Sequence, residues 1–334
     1  LRNKIPELIS MDLLLNTTYQ SIMTLVVAAS RIETAAPEFI PRIHAYIEKA
    51  MAEDIRITEC ITDAKGNRAL APAKQEDPDS YVRVVARSAD GVVIRGAKLH
   101  ISAAALGHHM MVMPTKTMKP GEEDYAIACA VPVNAPGVHV TNTTYHPTGR
   151  DPRDFPVSSQ LSIPDSMCIF DDVFVPHERV FLDGETESAA VFAHSLGLWE
   201  RLGGLTSMAD GADVLVGFAQ LVAEANGLQK ISHVREKIAE MIIHATVVRA
   251  CLEAALTHAE TGELGAVFPN ELYTNAGKYT GATAYNTIVR HLHDIAGAAV
   301  VTAPSMADLE NDEVGALARK YMSTGSHVDG EDRT

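Results

Sequence analysis

The segment Thr62-Asp63-Ala64-Lys65-Gly66-Asn67-Arg68 holds two cations, a carboxylate, a hydroxyl and an amide within seven positions. The stretch that follows, 69–79, carries little apolar side-chain volume. A long segment without its own periodicity is usually functional or disordered. Lys65, Arg68 and the backbone N–H groups around Gly66 can cradle a phosphate or the polar edge of a flavin. The same composition also suits a solvated turn. Further on, His100, His108 and His109 can donate to a substrate carbonyl or exchange a proton near neutral pH, with His100 the first candidate. His244 and Cys251, seven residues apart, would share a helix face. Two ligands do not make a cluster, and ordinary helix packing explains that spacing.

These groups need a scaffold, and the hydrophobic period changes twice along the chain. From 11 to about 54 it is helical. Leu14, Tyr19, Ile22, Leu25 and Val26 follow one buried face, and a second amphipathic stretch over 39–52 has Pro41 near its start, where proline is tolerated. Short runs rich in β-branched or apolar residues follow at 81–87, 91–96, 110–113, 125–133, 138–143, 166–170 and 172–175. Ala89-Asp90-Gly91 is a hairpin signal among them. Residues 57–183 read as a β domain, a barrel or sandwich. The helical period returns from about 186. Ile231, Val234, Ile238, Met241, Ala245, Val248, Leu252 and Ala255 mark one stripe, and a further helix is expected over 270–299. Helices over 1–56, strands over 57–183 and helices over 184–334 predict an α+β protein and argue against alternating βαβ units.

The balance of 28 Lys+Arg against 43 Asp+Glu gives a formal charge of −15, which would be repelled by nucleic acid and anionic lipid. Neither is an expected partner. Cys60, Cys129, Cys168 and Cys251 are widely spaced and form no CxxC, as expected of reduced thiols in the cytoplasm. No uninterrupted apolar run approaches the roughly 18 residues of a membrane span. The chain starts without Met or a signal-peptide apolar region and stops in a polar stretch, so both ends are expected to be incomplete.

TDAKGNRALAPAKQEDPDSYVRVV, DGVVIRGAKLH and VMPTKTM, then FDDVFVPHERVFLDGE and HDIAGAAVVTAPSMADL, resemble in collinear order the 4-hydroxybutyryl-CoA dehydratase and 4-hydroxyphenylacetate 3-hydroxylase family. The resemblance covers about 11–320. It implies an acyl-CoA-dehydrogenase-like architecture of N-terminal helices, middle β-barrel and C-terminal helical bundle. It also implies FAD held between barrel and bundle in a homotetramer. The family's flavin loop falls on Thr62, Asp63, Lys65, Gly66, Asn67 and Arg68. Its hydroxyl position falls on Ser102, where a non-titrating group can serve flavin N5 and O4; a strand-end cap is the plain alternative. Thr115 falls where some hydroxylases touch substrate. Gly297 falls on a turn approaching the ADP half of the cofactor, although a helix glycine also suits close packing.

Departures from the family pattern shape the expected reaction. The iron–sulfur ligand positions of the dehydratase branch fall on Leu198 and Leu205, around Gly203-Gly204, and residues 1–11 hold no cysteine, so no metal is expected. The His that precedes the hydroxylase flavin loop is replaced by Glu59, a carboxylate that can act as a base. Trp199 and Arg201 carry planar groups that suit either cofactor stacking or an interface. The expected activity is FAD-dependent monooxygenation of a phenol or similar small substrate, with a separate flavin reductase. The alternative is isomerase or lyase chemistry on an acyl-CoA thioester without the cluster. A catalytically inactive flavin-binding scaffold is the third reading.

Overall fold

The computed structural model describes residues 5–143, 149, 151–156, 159, 164–262 and 265–323, with side chains from residue 13 onward. Two compact units emerge. The first comprises Leu1–Thr148, Val157–Trp199 and Thr261–Phe268, the second Gly149–Pro156, Glu200–Glu260 and Pro269–Thr334.

The first unit opens with helices α1, Ile5–Ile32, and α2, Ile40–Ala52. Leu13–Ile32 is long and apolar enough, by composition alone, to cross a membrane. Asn, Thr, Gln and Ser interrupt it without supplying charge, which is why reading for unbroken apolar runs passes over it. Leu25, Ala28, Ala29 and Ile32 bury one face of this helix in the core. Thr17 donates to the carbonyl of Ile57 at 2.9 Å, and Thr18 Oγ1 accepts from the Ile57 N–H at 2.9 Å. These side chains hold the helix to the strand that leads into the 62–68 segment.

Between 57 and 183 the described residues form eight strands: β1 Ile57–Cys60, β2 Arg83–Arg87, β3 Gly91–Ser102, β4 His109–Val112, β5 Ile127–Pro132, β6 Val138–Thr143, β7 Asp165–Pro176 and β8 Val180–Asp183. They form two four-stranded sheets, ordered β1-β4-β5-β8 and β2-β3-β7-β6. The pair β1–β4 is parallel, with Ile57 opposite His109; the remaining strand pairs are antiparallel. The expected closed barrel is not found among the described residues. Each sheet keeps its own edge strands, and Asp63↔Lys98 is an isolated bridge outside both ladders. The two sheets nevertheless share one apolar core, in which Ile57, Met110 and Val131 of the first meet Val92, Ile94 and Phe170 of the second. On β3 alternate residues are buried, and the register shifts after Ile94 and again after Lys98.

The second unit is helical. Helix α3, Thr186–Ala225, starts in the first unit and contributes its later part here, with α4, Ser232–Thr257, and α5, Glu271–Ala296. Val234, Met241, Ala245, Val248, Leu252 and Ala255 of α4 are buried, as the stripe predicts. Gly277 of α5 allows a close approach. A Cβ there would stand 2.7 Å from Cys251 Cβ and 2.8 Å from Leu205 Cδ2. Asn270 caps α5 by accepting from the N–H of Tyr273 at 3.1 Å.

Candidate functional site

Beyond β1 the backbone alternates in its hydrogen bonding. The Asp63 N–H donates to Thr115 Oγ1 at 3.1 Å, Lys65 N–H to Ser80 O at 2.8 Å, Asn67 N–H to Gln75 Oε1 at 2.9 Å and Ala69 N–H to Asn67 Oδ1 at 3.0 Å. The N–H groups of Gly66 and Arg68 have no acceptor among the described residues, whereas that of Ala64 faces β3 across the Asp63↔Lys98 bridge. Lys65 and Gly66 take φ of 70° and 46° in succession. Such a left-handed pair turns the chain sharply, and a Cβ on Gly66 would stand 2.5 Å from Gln75 Oε1. Gln75 Nε2 then donates to the carbonyls of Asn67 at 2.9 Å and Leu70 at 3.1 Å, stapling the turn. Thr62 and Lys65 are half-buried, whereas Gly66, Asn67 and Arg68 are exposed. Two open N–H donors and two cations on one short turn suit an anionic, acceptor-rich ligand.

Beneath the turn lies a buried charge pair. Lys98 is 1% exposed, and its Nζ donates to Asp63 Oδ1 at 2.8 Å, Ile61 O at 2.8 Å and Met113 O at 2.7 Å. All three ammonium donors are thus used. Asp63 Oδ1 also accepts from the Val82 N–H at 2.9 Å, and Oδ2 accepts from the Thr115 hydroxyl. Thr115 lies within 2.7 Å of Ile61 O as well. The side chains of Asp63 and Thr115 therefore face inward.

Other expected residues are distributed more widely. Ser102 ends β3 half-buried, donating its hydroxyl to Asp165 Oδ1 at 2.6 Å. His100 sits on the β3 irregularity with φ 59° and is exposed. Glu59 is half-buried on β1, opposite Met111. Gly297 ends α5 with φ 72° and lines a surface cavity of about 560 Å³ with Asn226, Asp294 and Thr302. The 62–68 turn and Ser102 belong to the first unit, Gly297 to the second.

His109 is not an acid at neutral pH. Burial first, then the charges of Arg179 and Lys49, lower it to about 4. Tyr46 Oη lies 3.0 Å from its Nδ1, and burial pushes that phenol well above its ordinary value. Burial also pushes Cys129 up to about 12, far from a thiolate nucleophile. Trp199 is buried, its ring edge-to-face with Tyr19 at 5.6 Å. Leu198 and Leu205 are buried too. His244 lies 3.6 Å from Glu240, while Cys251 packs beneath Gly277, so their shared helix face serves packing.

Lys98, Gln75, Ser80 and Asp165 were not among the expected site residues. Lys98 carries the legible signal: it falls on the buried parity of β3, in line with Val92, Ile94 and Gly96. A lysine there demands a buried carboxylate. The contacts of Gln75 and Asp165 arise from loop closure and strand register, which have no local pattern.

The 4-hydroxyphenylacetate 3-hydroxylase N-terminal family model matches residues 13–182, and the C-terminal model matches 189–334. The chain is 31% identical over 276 residues to a 4-hydroxybutyryl-CoA dehydratase/vinylacetyl-CoA-Δ-isomerase of Clostridium aminobutyricum, covering 80% of this chain and 56% of that one. It is 29% identical over 304 residues to the oxygenase component of a 4-hydroxyphenylacetate 3-monooxygenase of Thermus thermophilus, covering 89% and 61%. It thus spans about 56–61% of the length of these curated relatives. Among solved structures, the oxygenase component of 4-hydroxyphenylacetate 3-monooxygenase complexed with FAD superposes with a TM-score of 0.85 at 26% identity, over 96% of this chain and 68% of that one. A probable acyl-CoA dehydrogenase of Mycobacterium abscessus, at TM-score 0.53 and 20% identity over 76% and 62% of the two chains, shares the fold alone. On two family models that together span the described core of both units, this chain belongs to the 4-hydroxyphenylacetate 3-hydroxylase family.

Proposed function

We propose that this chain binds FAD and serves as the oxygenase component of a two-component monooxygenase acting on a phenol or similar small aromatic substrate, with reduced flavin supplied by a separate reductase. The observation that carries this reading is the hydrogen bonding of the 62–68 turn. The N–H groups of Asp63, Lys65 and Asn67 are tied within the protein and those of Gly66 and Arg68 left open, beside the Lys65 and Arg68 cations. That donor set fits an acceptor-rich, anionic cofactor such as FAD. When bound and reduced, FAD supplies the oxygen-activating chemistry, and the protein binds and orients the reactants.

In this reading the open N–H groups of Gly66 and Arg68, with the Thr62 hydroxyl, the Asn67 amide and both cations, hold the cofactor. Ser102, its own hydrogen committed to Asp165, presents a lone pair to a donor on the flavin. Glu59 is the proposed base for a phenol proton and His100 a donor to substrate. Thr115 is not proposed as a substrate contact, because its hydroxyl is engaged with Ile61 and Asp63.

The alternative, isomerase or lyase chemistry on a CoA thioester, draws on the 31% identity to the dehydratase/isomerase. Leu198 and Leu205, apolar and buried at the implied cluster-ligand positions, speak for that reading only without the cluster. The four cysteines are free thiols, three of them buried, which suits a reducing compartment such as the cytoplasm. Homotetramer formation is proposed from exposed apolar stripes on the helical unit: Val214, Phe218 and Leu221 on α3, and Ile243 and Val247 on α4. The test is anaerobic photoreduction of the FAD-loaded chain followed by air, with and without a phenol. Phenol-dependent formation of a hydroxylated product supports the oxygenase. Its absence, together with proton exchange into vinylacetyl-CoA, overturns it.

A further inference from the structure

We infer that Lys98 is a positioning residue for the cofactor turn, acting through Asp63 and Thr115 to set the orientation of the 62–68 backbone. The inference rests on the flavin reading of that turn. The geometry that motivates it is convergence. One ammonium joins the end of β1 through Ile61 O, the segment after β4 through Met113 O and the first acidic residue of the turn through Asp63 Oδ1, at 2.7–2.8 Å. Asp63 in turn accepts from the N–H of Val82 just before β2, and Thr115 from the N–H of Asp63. Asp63↔Lys98 is also a backbone bridge, and the Leu99 N–H donates to Thr62 O at 2.7 Å. Four chain segments, 61–63, 82, 98–99 and 113–115, are therefore fixed to one another immediately under the turn.

A simple apolar plug could fill this volume and hold the core. It could not choose which face of the turn's peptides points inward. Successive peptide N–H groups of an extended strand point to opposite sides. Pinning the Asp63 N–H to Thr115 therefore leaves the peptides of Thr62 and Ala64 facing β3, where the Leu99 N–H meets Thr62 O. The left-handed pair Lys65 and Gly66 then redirects the chain, and the bonds of Lys65 and Asn67 to Ser80 and Gln75 hold it there. Fixing Asp63 thus sets the point and direction from which the turn starts. From that start the N–H groups of Gly66 and Arg68 are left for a ligand.

The test uses the full chain, two probes and three variants: Lys98→Met, Asp63→Asn and Thr115→Val. Thr115→Val leaves no orphaned charge, so it carries the test if the charge variants fail to fold. The first probe is amide hydrogen exchange of residues 62–69 without cofactor, which is independent of the flavin reading. About tenfold faster exchange at Asp63, Lys65 and Asn67, with β5 and β7 unchanged, is expected. The second is FAD titration followed by flavin fluorescence. A Kd about tenfold weaker in every folded variant is expected, while the thermal midpoint of Thr115→Val shifts by only a few degrees. Exchange and Kd both unchanged in folded Thr115→Val would overturn the inference. Exchange accelerated as expected in the variants, beside a wild-type chain that takes up no FAD, would overturn the flavin reading instead and leave Lys98 as the residue that orders the turn.

Discussion

His109 shows how burial at one residue decides what chemistry is available there. Its value of about 4 lies below the ordinary imidazole value of about 6.5, so the folded chain resists protonating it. The neutral ring is the form the fold stabilises. That contribution is complete above pH ~6.5 and is lost as pH falls from there toward ~4. His109→Phe keeps a ring against Tyr46 but removes the titration. The variant should be less stable than wild type at pH 7.5, since the Tyr46 hydroxyl loses its partner, yet lose less of its thermal midpoint between pH 7 and 5. Parallel midpoint-against-pH curves for the two proteins would show that His109 does not titrate in this window. The sequence marks His108 and His109 as candidate acid–base groups, and burial removes His109 as an acid at neutral pH.

At the scale of elements, α5 depends on its glycine at the contact with α3 and α4. Gly277→Ala inserts a carbon 2.7 Å from Cys251 and 2.8 Å from Leu205, inside contact distance on both helices. Overpacking of this kind costs about 1–3 kcal/mol. Gly211→Ala on α3 has nothing within 4 Å of its new carbon and should gain roughly the helix-propensity difference, up to about 1 kcal/mol. Urea unfolding of both variants checks the opposite signs, and equal midpoints would contradict this packing. Much of the element order is legible in the sequence. The stripe from Val234 to Ala255 falls on α4, with Ile231 exposed just before it, the Ala89-Asp90-Gly91 signal falls on the β2–β3 connection, and 138–143 is β6. What pattern could not supply is pairing. The run 166–175 reads as two strands but is one, continuing through Asp172 at φ 52°. The β region resolves into two sheets because register, unlike period, is set by distant partners. The same limit hid half the candidate site. Lys65, Gly66 and Arg68 announce themselves by composition, whereas the roles of Asp63 and Thr115 as inward anchors come from contacts with residues 19 to 52 positions away.

For the whole molecule, the exposed apolar residues of the helical unit bear on assembly. Val214, Phe218 and Leu221 recur at four- and three-residue spacing along α3, each about half exposed or more. Phe218→Glu places a charge in the middle of that stripe. Sedimentation should give a tetramer for the parent chain and a smaller species for the variant, with unchanged helical circular dichroism. A monomeric parent would remove the basis for a self-associating face. The central claim is that the open N–H groups and cations of the 62–68 turn hold FAD, and titration of the chain with FAD tests it most directly. Saturable binding near one FAD per chain is predicted. Arg68→Ala combined with Lys65→Ala should weaken it at least tenfold without lowering the thermal midpoint by more than a few degrees. Binding of equal strength in the parent and the double variant would contradict the account.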